Sequence, residues 1–241
     1  MKRTERRHLK DNELASLAAT ARQTLEERRG QLTAVLVGIV VIGAAAVGYF
    51  AWRGSVESRA HARLAEAIAV EEARVGPPPA PGTPSTGLSF NTEREKHQAA
   101  LTKFKVVADE YPSTDAGLFA RYREAATWMA LGNPKEAVTA YQQVIDRAGD
   151  TMYGQMARLG QAQAQAQAGQ FDSAITTYKA MSQRKDGRLP VDGILMQLGR
   201  TYIDAGKPED AQQTFNRLVQ EFPDSPFSGD AKRVLDSLKK T

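Results

Sequence analysis

The chain has 241 residues, 41% of them hydrophobic and 25% charged, the composition of a folded protein of one or two domains rather than a disordered one. Its net charge of +4 is uneven: residues 1–31 hold eight Lys and Arg against five Asp and Glu, leaving 24 against 23 in the rest. The near-neutral body therefore argues against a nucleic-acid surface, and the absence of Cys excludes a disulfide framework, a thiolate zinc site and a Cys nucleophile.

In the N-terminal tail, Leu14, Leu17, Ala18, Ala21 and Leu25 recur at helical spacing, which predicts an amphipathic helix over 11–29 lying on a membrane surface. From Leu32 to Trp52 run 21 residues without a charge, enough as a helix to cover about 30 Å of hydrocarbon. Tyr49, Phe50 and Trp52 at its end suit the headgroup boundary. A cleaved signal peptide, with Ala44-Ala45-Ala46 as the small-residue site, competes for this segment. Against it, the leader of 31 residues is long and the apolar run continues past Ala46. Three basic residues flank the span closely on each side, Arg22, Arg28 and Arg29 against Arg53, Arg59 and Arg63. The short tail as a whole is basic, whereas a long following segment translocates largely regardless of charge. The expectation is a cytoplasmic tail over 1–31, a transmembrane helix over 32–52 and the body on the far side.

Beyond the span, Val56, Ala60, Leu64, Ala67, Ile68 and Val75 share one face, predicting a juxtamembrane helix over 53–75 whose apolar stripe needs a partner. GPPPAPGTPSTG then places five Pro and three Gly in twelve residues, too many breakers for helix or strand. A Pro/Gly-rich, semi-rigid linker is expected over 76–92.

From residue 93 the chain repeats itself. Ala100, Ala137, Ala174 and Ala211 are 37 residues apart, each followed four residues later by an aromatic: Phe104, Tyr141, Tyr178 and Phe215. Three residues further on stand Val107, Val144, Met181 and Leu218, while Gly132, Gly169 and Gly206 keep the same period. Such a period means a stacked helical hairpin. The alanine lets two helices approach, the aromatic fills the space between them, and the glycine ends the first helix and permits the turn. Leu195, Leu198, Gly199, Tyr202, Ala211, Phe215, Leu218 and Pro223 match the tetratricopeptide pattern with Leu for its initial Trp. On these residues the chain resembles the tetratricopeptide family, and the resemblance implies an all-α helical-hairpin solenoid over 93–241.

The register also decides the stretch GQAQAQAQAGQ, whose strict alternation imitates a half-buried strand. It places Ala162 at the small position shared by Ala125 and Gly199, and Gly169 at the turn. Ala and Gln are good helix formers, so a helix is expected, with Gln165 standing where Trp128 and Tyr202 stand in the other units and Met152 or Met156 reaching into the gap. EYPST at 110–114 and EFPDS at 221–225 stop a helix at Pro and offer Ser or Thr to cap the next. Residues 226–239 are expected to be a capping helix, with Ala231, Val234, Leu235 and Leu238 packing inward. Residues 93–111 are expected to pair with the 53–75 helix.

The sequence carries no catalytic constellation. His8, His61 and His97 are far apart, and no P-loop, HExxH, GxSxG or calcium-loop pattern occurs. Asp109-Glu110 and Glu71-Glu72 are adjacent carboxylates, which diverge on a helix and read as solvated faces. A non-enzymatic protein without cofactor, metal or small-molecule substrate is expected. A solenoid offers instead a concave face lined by the first helix of each unit. In this register the groove positions for a protein partner are Phe119, Tyr122, Arg123, Met129, Met156, Gln163, Gln167, Met196, Gln197 and Arg200.

The layout of a short tail, one span and a repeat domain resembles the ancillary SecYEG translocon subunit family of bacterial inner membranes. That resemblance implies a scaffold linking the translocon to periplasmic chaperones, with the N-terminus cytoplasmic and the repeats periplasmic. The basic tail and the Pro-rich insert depart from it. LGRTYIDAGKPEDAQQTFNRLVQEFPDSP also resembles the repeat domains of Tol-Pal cell-division coordinators and outer-membrane assembly lipoproteins, which implies the alternative of an envelope coordinator.

Overall fold

The computed structural model describes residues 29–76, 87–184 and 188–239; the amphipathic helix expected over 11–29 and most of the Pro-rich linker lie outside them. The chain divides into two compact units, Met1–Ser55 and Val56–Thr241. Helix α1 (Arg29–Glu71) carries the apolar run. Within the first unit Leu36, Val37, Ile39, Val40, Val41, Ile42, Val47, Phe50 and Trp52 are each more than half exposed, and none of the most apolar window of α1 is buried. Tyr49 packs its ring against Phe50 and Trp52, at centroid distances of 5.7 Å and 6.2 Å. The helix is long and apolar enough to cross a membrane.

The second unit is an all-α solenoid, as its periodicity predicts. After the end of α1 come two short strands, β1 (Arg74–Val75) and β2 (Ser89–Phe90), and then α2 (Glu93–Glu110), α3 (Asp115–Ala130), α4 (Pro134–Ala148), α5 (Met152–Gln167), α6 (Phe171–Gln183), α7 (Val191–Asp204), α8 (Pro208–Glu221) and α9 (Ser228–Leu238). Helices α3/α4, α5/α6 and α7/α8 form successive hairpins. The repeated positions are the core: Ala100, Ala137, Ala174 and Ala211, the four aromatics after them, and Val107, Val144, Met181 and Leu218 are all buried. Ala60, Leu64, Ala67 and Val70 of α1 join Ala100, Phe104 and Val107 of α2 in one cluster, which supplies the partner that the α1 stripe needs. Ala231 and Leu235 of α9 close the other end of the core, with Val234 and Leu238 packed alongside.

The three turn glycines adopt left-handed φ of 78°, 77° and 69°, a region that penalises a Cβ. Each closes its helix in the same way. The amide of Gly132 donates to Met129 O and that of Asn133 to Trp128 O; Gly169 and Gln170, then Gly206 and Lys207, repeat both bonds. This is a Schellman motif three times over. At the opposite ends of the hairpins, Thr114 and Thr151 accept the amides of Gly117 and Gly154 as N-caps. A Cβ on Gly117 would lie 1.9 Å from Tyr111 O, and one on Gly154 2.0 Å from Gly149 O, so the chain entering each helix leaves room for glycine only.

Arginines bracket successive units along the edge where these loops lie. Arg147 donates to Pro112 O at 2.6 Å, Arg158 to Gly149 O at 2.9 Å and Arg217 to Ser182 O at 3.2 Å, while Arg184 reaches Asp150 at 3.1 Å. Several expectations are corrected. The helix expected over 53–75 ends at Glu71, and Arg74–Val75 pairs in parallel with Ser89–Phe90 inside the expected linker. Ser225 does not cap the first turn of α9: it accepts the Phe227 amide and donates to Asp192. Glu71 and Asp109 are not simply solvated, because they pair with Arg123 and Arg121.

Candidate protein-binding face

Helices α3, α5 and α7, the first of each hairpin, lie side by side, α3 touching α5 and α5 touching α7. Phe119 on α3 meets Tyr153 on α5 edge to face at 6.3 Å, and Tyr153 remains 42% exposed. Tyr122 is half-buried, with its ring against Tyr141 of α4 at 5.6 Å; burial pushes the hydroxyls of both upward from their ordinary pKa. Met129 packs half-buried on the α3–α4 cluster. Arg123 pairs with Glu71 across to α1 while its Nε is buried without a partner. Met156 and Gln197 are half-buried, and Gln163, Gln167 and Arg200 are exposed.

One expected groove residue is corrected: Met196 is only 1% exposed and belongs to the core. Two residues outside the expected groove positions are accessible on α5: Tyr153, which sequence reasoning missed, and Met152, which is 41% exposed. Met152 therefore does not fill the gap at Gln165, whose side-chain oxygen is buried without a hydrogen-bond partner. The positions in phase with Tyr153 are Ala116 and Pro190, so the repeat gives no signal for it; its adjacency to the Thr151 cap, which fixes the helix start, is the one clue the sequence holds.

Beneath this face lies a charged cluster. Arg121 bonds both Asp109 of α2 and Glu124. Glu124 is 5% exposed, and desolvation raises its pKa against the opposing pull of Arg121 and of a Trp128 hydrogen bond. In the next unit the same position is Gln161, whose amide donates to Val138 O at 3.3 Å and to Gln142 at 2.8 Å. Both side chains serve as packing ties, Glu124 to the Arg121 that spans to α2 and Gln161 to α4.

A cleft of about 450 Å³ opens between the 112–115 loop, Leu118 and Arg147. Its Thr114 hydroxyl is engaged by Tyr111 O and the Gly117 amide and pairs with no general base among the described residues. Nor, among those residues, is any group of three His, Cys, Asp or Glu side chains placed to hold a metal ion. What the face offers is half-buried aromatic and Met surface between neutral amides, with Arg200 as an exposed cation, residue types that protein interfaces favour.

The tetratricopeptide repeat-like domain model matches residues 29–217. The chain belongs to that family. No curated protein matches it. Among solved structures, the nearly identical TPR-like repeats of a putative kinesin light chain from Podosopora anserina are similar, at 15% identity and TM-score 0.54, covering 76% of this chain and 87% of that one. A substituted form of the same repeats gives 14% identity and TM-score 0.51, covering 76% and 94%. A tetratricopeptide repeat protein from Parabacteroides merdae gives 14% identity and TM-score 0.49, covering 61% of this chain; the chain spans 56% of that protein's length. At these identities the similarity to the kinesin light chain repeats is one of fold. Tetratricopeptide repeats of this kind serve as protein-interaction scaffolds, and this chain carries such repeats.

Proposed function

We propose that this protein is a non-catalytic, membrane-anchored scaffold that holds a protein partner on the face formed by α3, α5 and α7. The observation that carries the reading is the Phe119–Tyr153 pair, an aromatic contact left open to solvent on two neighbouring first helices. Large aromatics with an exposed edge concentrate binding energy. The span in α1 anchors the repeats at the inner membrane of a bacterium, tail in the cytoplasm and repeats in the periplasm. The resemblance in layout to the ancillary SecYEG subunits supports a place beside the Sec translocon, passing emerging chains to periplasmic chaperones. The resemblance of residues 198–226 to Tol-Pal coordinators and outer-membrane assembly lipoproteins supports the alternative of an envelope coordinator.

Photocrosslinking in cells from Tyr153 and Arg200, with the adducts identified by mass spectrometry, tests this. Sec subunits and periplasmic folding factors are expected. Tol-Pal or outer-membrane assembly proteins would replace the first assignment by the second, and adducts from neither position, with adducts from α4 or α6 instead, would move the binding face.

A further inference from the structure

The three hairpins share a backbone plan but are unequally filled. Facing α4, helix α3 presents Leu118, Tyr122, Ala125 and Met129, with Trp128 beside them. Helix α7 presents to its neighbours Leu195, Met196, Leu198 and Tyr202, all buried. At the positions of α5 in phase with Tyr122, Ala125, Trp128 and Met129 stand Leu159, Ala162, Gln165 and Ala166. The fully buried apolar side chains are alanine alone on α5 as on α3; what α5 lacks is the half-buried layer of Tyr122, Trp128 and Met129, since toward α6 to α9 it offers only Leu159 and Ala166. The apolar core divides at the same place: Ala157 and Ala164 belong with α3 and α4, whereas Ala162 belongs with α6 to α9.

Polar contacts are equally one-sided. Gln161 bonds two groups on α4, and Gly160 lies under the Tyr141 ring, whose atoms come within 2.5 Å of where a Cβ would be. Toward the α6 side, the ties among the described residues lie at the N-terminal edge of the hairpin, from Asp150 to Arg184 and from the Gln155 side chain to the Arg188 amide. These ties are at the rim; Asp150 is 70% exposed. At the turn end of the seam, in the last turn of α5, stands Gln165, whose buried side-chain oxygen has no partner. A repeat array opens where a unit's own packing and its nearest interface are weakest.

We propose that the α5–α6 seam is the hinge of the solenoid, at which α2–α5 and α6–α9 move against each other. Because Tyr153 rides on α5, the hinge sets the spacing between the face on α3 and α5 and that on α7, whatever partner occupies it.

Hydrogen exchange on the full chain in detergent micelles, resolved by peptide, tests this. Amides of α5 and α6 are expected to exchange about tenfold faster than those of α3, α4, α7 and α8, as a locally opening unit does. Gln165→Tyr, which restores the aromatic of the other units, and Ala166→Met, which restores the in-phase, half-buried Met129, are each expected to slow exchange in α5 and α6 severalfold. Gln163→Tyr, at an exposed position on the same helix, leaves it unchanged. Equal protection along all the hairpins overturns the proposal. So does failure of both filling variants to slow exchange, or an equal effect from Gln163→Tyr.

Discussion

Replacing Gly199 by Ala adds one methyl group, and its effect distinguishes packing from propensity. On propensity alone, alanine in a helix interior is favoured over glycine by about 1 kcal/mol. At Gly199, however, the new Cβ would lie 2.5 Å from two ring carbons of Phe215 and 2.9 Å from a third. That is 0.9 Å inside the 3.4 Å at which ordinary contact begins. Phe215 is fully buried and has no solvent side into which to retreat. Overpacking of this kind costs roughly 1–3 kcal/mol, so the net expectation is a loss of up to about 2 kcal/mol. Gly193 on the same helix is the control, because a Cβ there meets only Phe227, at 3.5 Å; Gly193→Ala gains up to about 1 kcal/mol. Urea titrations followed by circular dichroism should move the midpoint down for the first substitution and up for the second. If Gly199→Ala stabilises as Gly193→Ala does, the Phe215 ring is not seated on Gly199, and the account of the small position fails.

Gly206→Ala should cost about 1–2 kcal/mol, because its left-handed φ is strained for any Cβ, and Gly206→Asn should cost less; the same titration reads both. Glu124 carries a signed pH dependence. Its folded-state pKa is raised, so its contribution is complete below the ordinary glutamate range and is lost as pH rises through the raised value. Glu124→Gln, imitating Gln161, should flatten the fall in urea midpoint across that window. Tyr153→Ala should weaken partner capture by on the order of 1–2 kcal/mol while leaving the midpoint within about 0.5 kcal/mol, as for an exposed residue.

What repetition marks in a sequence survives into the structure. Four copies of Ala and aromatic in fixed phase could not fall on a surface every time, so burial of Phe104, Tyr141, Tyr178 and Phe215 followed from spacing. The Ala/Gln tract was legible as helix for the same reason, since register outweighed its alternation. Met196 was misplaced because one face of α7 is shared between core and groove, and position on a helix does not tell which neighbour covers a side chain. Tyr153 lies outside any repeated pattern. The pairing of β1 with β2 joins two dipeptides across a Pro-rich stretch, too short for periodicity to register. The ties of Arg121 and Arg123 to Asp109 and Glu71 join different helices, which no single-helix pattern contains.

The arginine brackets at the loop edge have a further consequence. Arg147, Arg158 and Arg217 each donate to a backbone carbonyl, of Pro112, Gly149 and Ser182, and a carbonyl is present whatever residue supplies it. The acceptor side of each bracket is thus indifferent to substitution in the loops, while the donor side needs only one arginine per boundary. Loop positions that neither cap a helix, as Thr114 and Thr151 do, nor hold a left-handed φ, as Gly149 does, can therefore change without loosening the joint between neighbouring hairpins.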